Sequence, residues 1–306
     1  MDITVAICTW NRADLLDQTL QRMNKLIIPS VISWELIVVN NNCTDNTDEI
    51  ISKHFDALPI VRIFEPEQGL SNARNAAVAR ARGEYILWTD DDVLVDSQWI
   101  SVTLDGFRRL PNTAVIGGKV LPWFEVSPPK WLSDNLEKIG KYYALRDFGD
   151  QEHILRSGQN PYGANMAFRA KILKDIKFDS ELGRKGNLII SGEDAKVISD
   201  IRSSGWDITW IPRSNVKHFI TKERMTLNYI KKLQYSNGRY EKKAFIAPSK
   251  KILDYPLWMV KKWLTLHFSY KINRLFFPHS YRWLEMMIES SNLLGQIIAA
   301  KENTKK

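Results

Sequence analysis

Two rhythms of apolar and polar positions alternate along the first hundred residues. Ile3–Cys8 is a short apolar run, and Arg12–Lys25 then places Leu15, Leu16, Leu20 and Met23 at helical spacing. Glu35–Asn40 is a second run, rich in Val and Ile; Asp45–Phe55 reads as a helix and Ile60–Phe64 as a third strand. Gly69–Arg82 is Ala-rich and helical, with Gly83 as its stop. Glu84–Thr89 is a fourth strand that runs straight into Asp90-Asp91-Asp92. This alternation predicts a parallel sheet in an α/β domain. Such sheets bind ligands outside the carboxyl ends of their strands. Polar residues gather there: Thr9-Trp10-Asn11-Arg12, Asn40-Asn41-Asn42 and the three aspartates.

Residues 114–220 are less regular. Ala114–Leu121 reads as a strand, Pro122–Leu132 as a loop bearing Pro and Trp, and Gly163–Phe168 as a short strand. Glu193–Ser203 reads as a helix, and Ile208–Ile211 and Asn215–Phe219 as two short strands. From Lys222 onward helices dominate.

Composition narrows the class. With 306 residues, 44% apolar and 25% charged, the chain is long enough for one large or two small domains and too apolar for wholesale disorder. Cys8 and Cys43 cannot build a disulfide framework, and they read as small buried residues in a reducing compartment. No apolar stretch long enough for a signal-peptide h-region follows Met1, where acidic Asp2 stands, and no uncharged stretch approaches the ~18 residues of a membrane span. The expected location is therefore cytoplasmic. Charge is unevenly placed: residues 1–216 hold 25 Lys and Arg against 29 Asp and Glu, and residues 217–306 hold 18 against 6. The net is thus −4, then +12. A basic last third implies an anionic partner or a solvated basic face. Neither G-x-G-x-x-G nor G-x-x-x-x-G-K-[ST] is present, which disfavours dinucleotide-dependent oxidoreductases and P-loop NTPases.

The sharpest chemical feature is Asp90-Asp91-Asp92. Three adjacent carboxylates after an apolar strand repel one another unless a cation neutralises them; the bland alternative is an acidic turn capping the next helix. Gly192-Glu193-Asp194 opens a helix, where acids are routine, or supplies a general base. His218 is by spacing a lone histidine, and Arg74 could meet a phosphate or simply sit on its helix surface. Tyr255–Trp283 concentrates nine aromatics among Lys261, Lys262, Lys271, Arg274 and Arg282. That pattern suits a membrane interface, with Trp258, Trp263 and Trp283 as anchors, or packing on the domain or on a second copy of the chain. Nucleic acid is not expected, because no known binding motif accompanies the aromatics.

In this order, several pieces resemble glycosyltransferase family 2, the inverting nucleotide-sugar enzymes, and look most like its bacterial members that build exopolysaccharide or other surface glycans. They are Val5–Arg12, Ile37–Asp45, Glu65–Leu70, Ala73-Arg74-Asn75, Asp90-Asp91-Asp92, Gly163–Phe168 and Ser191-Gly192-Glu193-Asp194. The resemblance covers roughly residues 3–240. It implies a GT-A fold, a Rossmann-like mixed sheet flanked by helices, over residues 1–220. The donor half would span about 1–121 and the acceptor half 122–220. A helical, basic, aromatic-rich region, 221–306, would follow. The family often has Asp where this chain has Asn40, whose amide donates as well as accepts.

The resemblance also implies roles. Thr9, Trp10, Asn11, Arg12, Asn40 and Arg74 would line the nucleotide pocket, with Asp90 and Asp91 approaching the ribose and donor sugar. Asp92, with His218 as a further ligand, would hold Mn²⁺ or Mg²⁺. Asp194 would be the general base and Glu193 its support. Gln234 and Arg239 would meet acceptor or diphosphate. The donor would be a nucleotide-diphosphate sugar, UDP ahead of GDP, and the acceptor a saccharide or polyprenyl-linked saccharide at the inner face of the cell membrane. The competing readings are an enzyme resembling sugar-phosphate nucleotidylyltransferases, whose glycine-rich loop is missing here, and a non-catalytic membrane-associated assembly factor.

Overall fold

A computed structural model of the chain describes residues 1–184, 192–240, 251–252 and 255–303. Ser191 of the acidic motif lies outside these residues. The chain divides into two compact units. The first is Met1–Trp123 with Tyr143–Phe219, and the second is Phe124–Tyr142 with Ile220–Lys306.

The first unit opens with β1 (Ile3–Thr9), α1 (Ala13–Met23), β2 (Trp34–Asn40), α2 (Thr47–Lys53), β3 (Ile60–Phe64), α3 (Leu70–Arg80) and β4 (Tyr85–Asp90). Next come β5 (Val93–Val95), α4 (Trp99–Arg109) and β6 (Thr113–Phe124). Two short helices of the second unit, α5 (Lys130–Ser133) and α6 (Leu136–Ile139), intervene before β7 (His153–Ile154), β8 (Met166–Arg169) and α7 (Ala170–Asp175). The helix α8 (Glu193–Ser203) and the long strand β9 (Asp207–Ile220) complete it. Among the described residues one nine-stranded sheet runs β3-β2-β1-β4-β8-β6-β9-β5, with β7 also on β9.

Strands β1, β2, β3 and β4 are parallel, and β8 pairs antiparallel with both β4 and β6. The period-2 alternation of β1 decides its two faces. Ile3, Val5 and Ile7 pack with Leu16 and Leu20 of α1 and with Leu104 and Phe107 of α4. Ala6 faces the other layer, with Ala73 and Ala77 of α3 and Val197 and Ile201 of α8. The small side chains of α3 bring that helix close to the sheet. Parallel register places Thr9 beside Asn40 and Cys8 beside Asp90, so these polar strand ends share one edge.

Two details differ from the sequence reading. Gly83 is not the helix stop, since α3 ends at Arg80. A Cβ on Gly83 would lie 2.3 Å from the Thr4 amide nitrogen, so glycine is required by backbone contact with β1. The two strands expected at 208–211 and 215–219 are one, β9. Pro212 falls between its pairing with β7 at Thr209 and Trp210 and its pairing with β5 from Val216 to His218. A missing N–H costs little between two pairings.

The second unit adds α9 (Leu227–Tyr240), a short pair β10 (Lys251–Ile252) and β11 (Tyr255–Pro256), α10 (Leu257–Phe276) and α11 (Arg282–Asn303). Its earlier segment is tied in: the Glu125 amide donates to Ile220 O at 3.0 Å, and Lys138 Nζ lies 4.3 Å from the Tyr281 ring centroid. The expected anchors divide. Trp283 and Tyr270 are buried, and Trp263 packs against Met259, Leu293 and Ile297. Trp258 stays exposed and shares an arc of about 120° on α10 with exposed Leu264, Phe268, Ile272, Leu275 and Phe276. No described helix is long and apolar enough to cross a membrane.

Candidate active site

The buried strand β4 ends at Asp90, and the chain turns through Asp91 and Asp92 into β5. Pairing of β5 with β9 sets Val93 opposite His218, and the Phe219 amide donates to Asp92 O at 2.9 Å. His218 Nε2 lies 3.4 Å from Asp92 Oδ1 and 3.9 Å from Asp90 Oδ2. Its Nδ1 is 3.0 Å from Phe219 O; a carbonyl only accepts, so Nδ1 donates. In the neutral ring Nε2 then carries a lone pair directed at two carboxylates. One ligand atom each from Asp90, Asp92 and His218 lies within 4.8 Å of the others. Two carboxylates and one imidazole form an oxygen-rich donor set that suits Mn²⁺ or Mg²⁺.

Arg12 crosses to this turn. Its Nη1 donates to Asp91 Oδ1 at 3.0 Å and to Asp92 Oδ2 at 2.9 Å. Thr9 Oγ1 donates to Asp91 Oδ2 at 2.8 Å. Both Asp91 oxygens are therefore engaged by neighbouring side chains of the protein. Burial pushes the Asp91 carboxyl up to about 7, with Asp92 adding to the rise and Arg12 opposing it. Three aspartates and one arginine leave a formal charge of about −2, which a divalent cation would balance.

A second acidic pair stands on α8. Arg74 of α3 is buried at 3% exposure and pairs with Asp194 Oδ1, with Glu193 Oε1 3.5 Å from the same nitrogen. Trp88 and Phe178 flank its guanidinium, with ring centroids 5.7 and 5.2 Å from Cζ. Burial opposes the Arg74 charge, but Asp194, Glu193 and Asp90 outweigh it and hold its pKa above the usual value. Burial raises Asp194 to about 6, against the pull of Arg74. Asp90 contributes to both shifts and so joins the two acidic groups electrostatically. Gly163 closes over this pair. A Cβ there would fall 2.2 Å from Arg74 Nη2 and 2.7 Å from Asp194 Oδ2.

Other expected residues are engaged differently. Asn40 Nδ2 donates to Asp48 Oδ1 and its Oδ1 accepts from the Cys43 amide, both at 2.8 Å, so its amide shapes the turn after β2. Asn11, at φ 51°, accepts from the Thr44 amide at 2.7 Å and ties the turns after β1 and β2 together. Trp10 is half-buried at the end of β1. Gln234 is buried and Arg239 exposed on α9, within the second unit. Burial pushes the Cys8 thiol up to about 12, consistent with an inert side chain. Sequence reasoning did not group Asp90 with Asp92 and His218; the signal is the three-residue strand Val93–Val95, which brings His218 across.

The family model described as "Glycosyl transferase family 2" matches residues 4–177. Succinoglycan biosynthesis protein ExoM of Rhizobium meliloti is 23% identical over 243 residues, 78% of this chain and 74% of that protein. Poly-beta-1,6-N-acetyl-D-glucosamine synthase of Staphylococcus aureus is 25% identical over 117 residues, 38% of this chain and 28% of that protein. Among solved structures, the mannosyltransferase PcManGT from Pyrobaculum calidifontis, in complex with GDP-Man and Mn²⁺, aligns with TM-score 0.61 at 15% identity. That alignment covers 97% of this chain and 86% of that one. S. aureus TarS 1-349 in complex with UDP aligns with TM-score 0.55 at 15% identity over 100% and 92%. The chain belongs to glycosyl transferase family 2 and is a glycosyltransferase with the GT-A fold.

Proposed function

We propose that this glycosyltransferase moves a sugar, with inversion, from a nucleotide-diphosphate sugar to a saccharide or polyprenyl-linked saccharide in surface-polysaccharide synthesis. The observation that carries the reading is the convergence of two acidic groups at the edge of the sheet, one around Asp90, Asp92 and His218, the other around Arg74 and Asp194. The relatives' names, succinoglycan biosynthesis and poly-N-acetylglucosamine synthesis, support the product class. Complexes with UDP-GlcNAc and with GDP-Man occur among the structural neighbours, and we favour UDP.

Asp90, Asp92 and His218 would hold Mn²⁺ or Mg²⁺, which when bound supplies Lewis acidity toward the departing diphosphate. Arg12 and Thr9 fix Asp91 and so hold the turn that presents these ligands. The nucleotide would lie along the ends of β1 and β2, near Thr9, Trp10, Asn11 and Asn40. Asp194 takes the proton from the acceptor hydroxyl as that oxygen bonds the anomeric carbon. A carboxyl raised to about 6 is ionised yet basic near neutral pH, which suits this task. Arg74 orients Asp194, and Glu193 supports the pair. No covalent enzyme intermediate is needed.

The basic second unit and the exposed apolar arc of α10 support docking on the anionic inner face of the cell membrane, where a polyprenyl-linked acceptor resides. Gln234 and Arg239 stay as candidates for acceptor or diphosphate contact. The test is a screen of UDP- and GDP-sugars with Mn²⁺ or Mg²⁺, scoring nucleoside diphosphate and, with saccharide acceptors, the anomeric configuration of the product. Pyrophosphate release, or retention at the anomeric carbon, would refute the reading.

A further inference from the structure

Arg146 is a partly buried arginine of the first unit with no carboxylate partner among the described residues. The contrast is with its neighbours: Arg12 and Arg74 meet carboxylates, and Arg169 donates to the carbonyls of Thr113 and Phe107. The Arg146 guanidinium carbon lies 3.8 Å from the Tyr162 ring centroid and 5.2 Å from that of Phe148. Its Nε is buried and has no hydrogen-bond partner among the described residues. Burial holds its pKa below the usual arginine value. Two rings attract a cation, yet they satisfy none of its directional N–H donors.

The topology puts this group at the same edge of the sheet as the acids. β6 is parallel to β4, because both pair antiparallel with β8: Trp88 lies beside Met166, and Met166 beside Gly117. Two strand spacings, about 10 Å, separate β4 from β6. Beyond Gly117 the chain reaches Val120, whose backbone exchanges hydrogen bonds with Arg146 at 2.9 and 3.0 Å. Tyr162, which stacks on Arg146, directly precedes Gly163, the residue packed against Arg74 and Asp194. The backing ring and the residue over the base are thus peptide neighbours.

We propose that Arg146, backed by Tyr162, binds an anionic group, carboxylate or phosphate, carried by the acceptor. A planar guanidinium recognises either oxyanion in bidentate fashion, and a ring behind it fixes its plane. The inference rests on the glycosyl-transfer reading above and adds the charge class of the acceptor to it.

The experiment uses the full chain with nucleoside diphosphate and Mn²⁺ saturating, so that the donor site is blocked. Binding of methyl glucuronide is compared with methyl glucoside, and geranyl diphosphate with geraniol, by calorimetry. One charged probe should bind at least tenfold more tightly than its neutral counterpart. The glucuronide arm identifies a carboxylate, the diphosphate arm a phosphate. Arg146→Met should abolish the preference, a loss of about 10- to 100-fold. Arg146→Lys, which keeps charge but not the fork, should lose about tenfold. Equal binding of charged and neutral probes, or an unchanged preference in Arg146→Met, overturns the assignment. If Arg146→Met does not fold, an unchanged preference in Arg146→Lys overturns it instead. Failure of nucleotide and Mn²⁺ to bind at all would refute the transferase reading; nucleotide binding without anion preference would refute only the role of Arg146.

Discussion

Arg74 and Asp194, 120 positions apart, form one ion pair between α3 and the first turn of α8. Neither helix end explains the contact alone. An acid at a helix start is routine, but here it is bound to a buried cation flanked by two aromatic rings and a second carboxylate, Glu193.

Replacing Arg74 by Met should therefore expose the cost of that burial. Removing one partner of a buried pair costs about 3–5 kcal/mol. Asp194 and Glu193 would lose their cation, and the Asp194 pKa should rise further. Thermal unfolding at pH 7 and at pH 5 should show a larger loss at pH 7, where the uncompensated carboxylates are charged. Equal losses at both values would mean the pair contributes little.

The pH dependence of turnover follows from the role of base proposed for Asp194. Its carboxyl lies at about 6, above the ordinary value of 3.8, and a base must be ionised to act. Turnover should rise with pH through about 6 and then level. The sign for stability is opposite: the folded chain holds this proton more tightly than the unfolded chain, so the group's contribution falls as pH rises from 3.8 to about 6. Asp194→Asn should remove the acid limb and lower the chemical rate by roughly 10²–10⁴-fold. Glu193→Gln should do less. A reversed order of the two effects would transfer the role of base to Glu193.

Asp92→Asn should abolish Mn²⁺-dependent nucleotide binding while the far-UV circular dichroism stays that of the parent. His218→Ala should weaken Mn²⁺ by about 10-fold or more, since one of the three proposed ligands would be lost. Full activity of the parent in excess chelator would exclude the metal role of this cluster.

Gly163→Ala tests the packing over the Arg74–Asp194 pair. The added methyl carbon would lie 2.2 Å from Arg74 Nη2, so the ion pair must shift. We expect at least a tenfold loss in kcat with nucleotide affinity within twofold of the parent, because a misplaced catalytic group costs rate. Unchanged kcat would show that the pair tolerates displacement.

Membrane docking should depend on the outward arc of α10. Phe268→Ser combined with Leu275→Ser removes two exposed side chains, 58% and 75% accessible, without touching the buried Trp283. Flotation with anionic vesicles should drop for this variant and, for the parent, fall with added salt. If the parent does not float, or the variant floats equally well, the arc is not a membrane anchor. A concentration-dependent dimer of the parent that the variant lacks would assign the arc to a second copy.

The strands β1 to β4 were legible because their apolar runs are continuous and bounded by polar ends. Their boundaries fall within a residue or two of Ile3–Cys8, Glu35–Asn40, Ile60–Phe64 and Glu84–Thr89. The break read at Pro212 was wrong, since what a proline disrupts depends on which neighbour needs its N–H. Val93–Val95 was too short to stand out, and its partner His218 lies in a distant segment. The acids themselves were visible, and the family resemblance set His218 beside Asp92; what was not visible was that Asp90 joins them and that Arg74 pairs with Asp194. The aromatic tail was legible in composition alone. Helix α10 is apolar on more than one side, so periodicity could not separate buried Tyr270 from exposed Phe268. Arg146 gave no signal at all, because an arginine's missing partner exists only in three dimensions.

The second unit is assembled from two stretches of chain, Phe124–Tyr142 and Ile220–Lys306. During synthesis the earlier stretch leaves the ribosome before any of its partners. At a translation speed of about 5–20 residues per second, the intervening part of the first unit takes several seconds to appear. Through that interval Trp131, Leu132 and Ile139 have nothing of their own unit to cover them, though Leu132 and Ile139 end fully buried. The first unit must therefore fold while an excursion from its chain still waits for its partners. Chaperone dependence in this chain should be concentrated in that window, and separating the two units by a simple cut at residue 220 would strand the excursion on the wrong fragment.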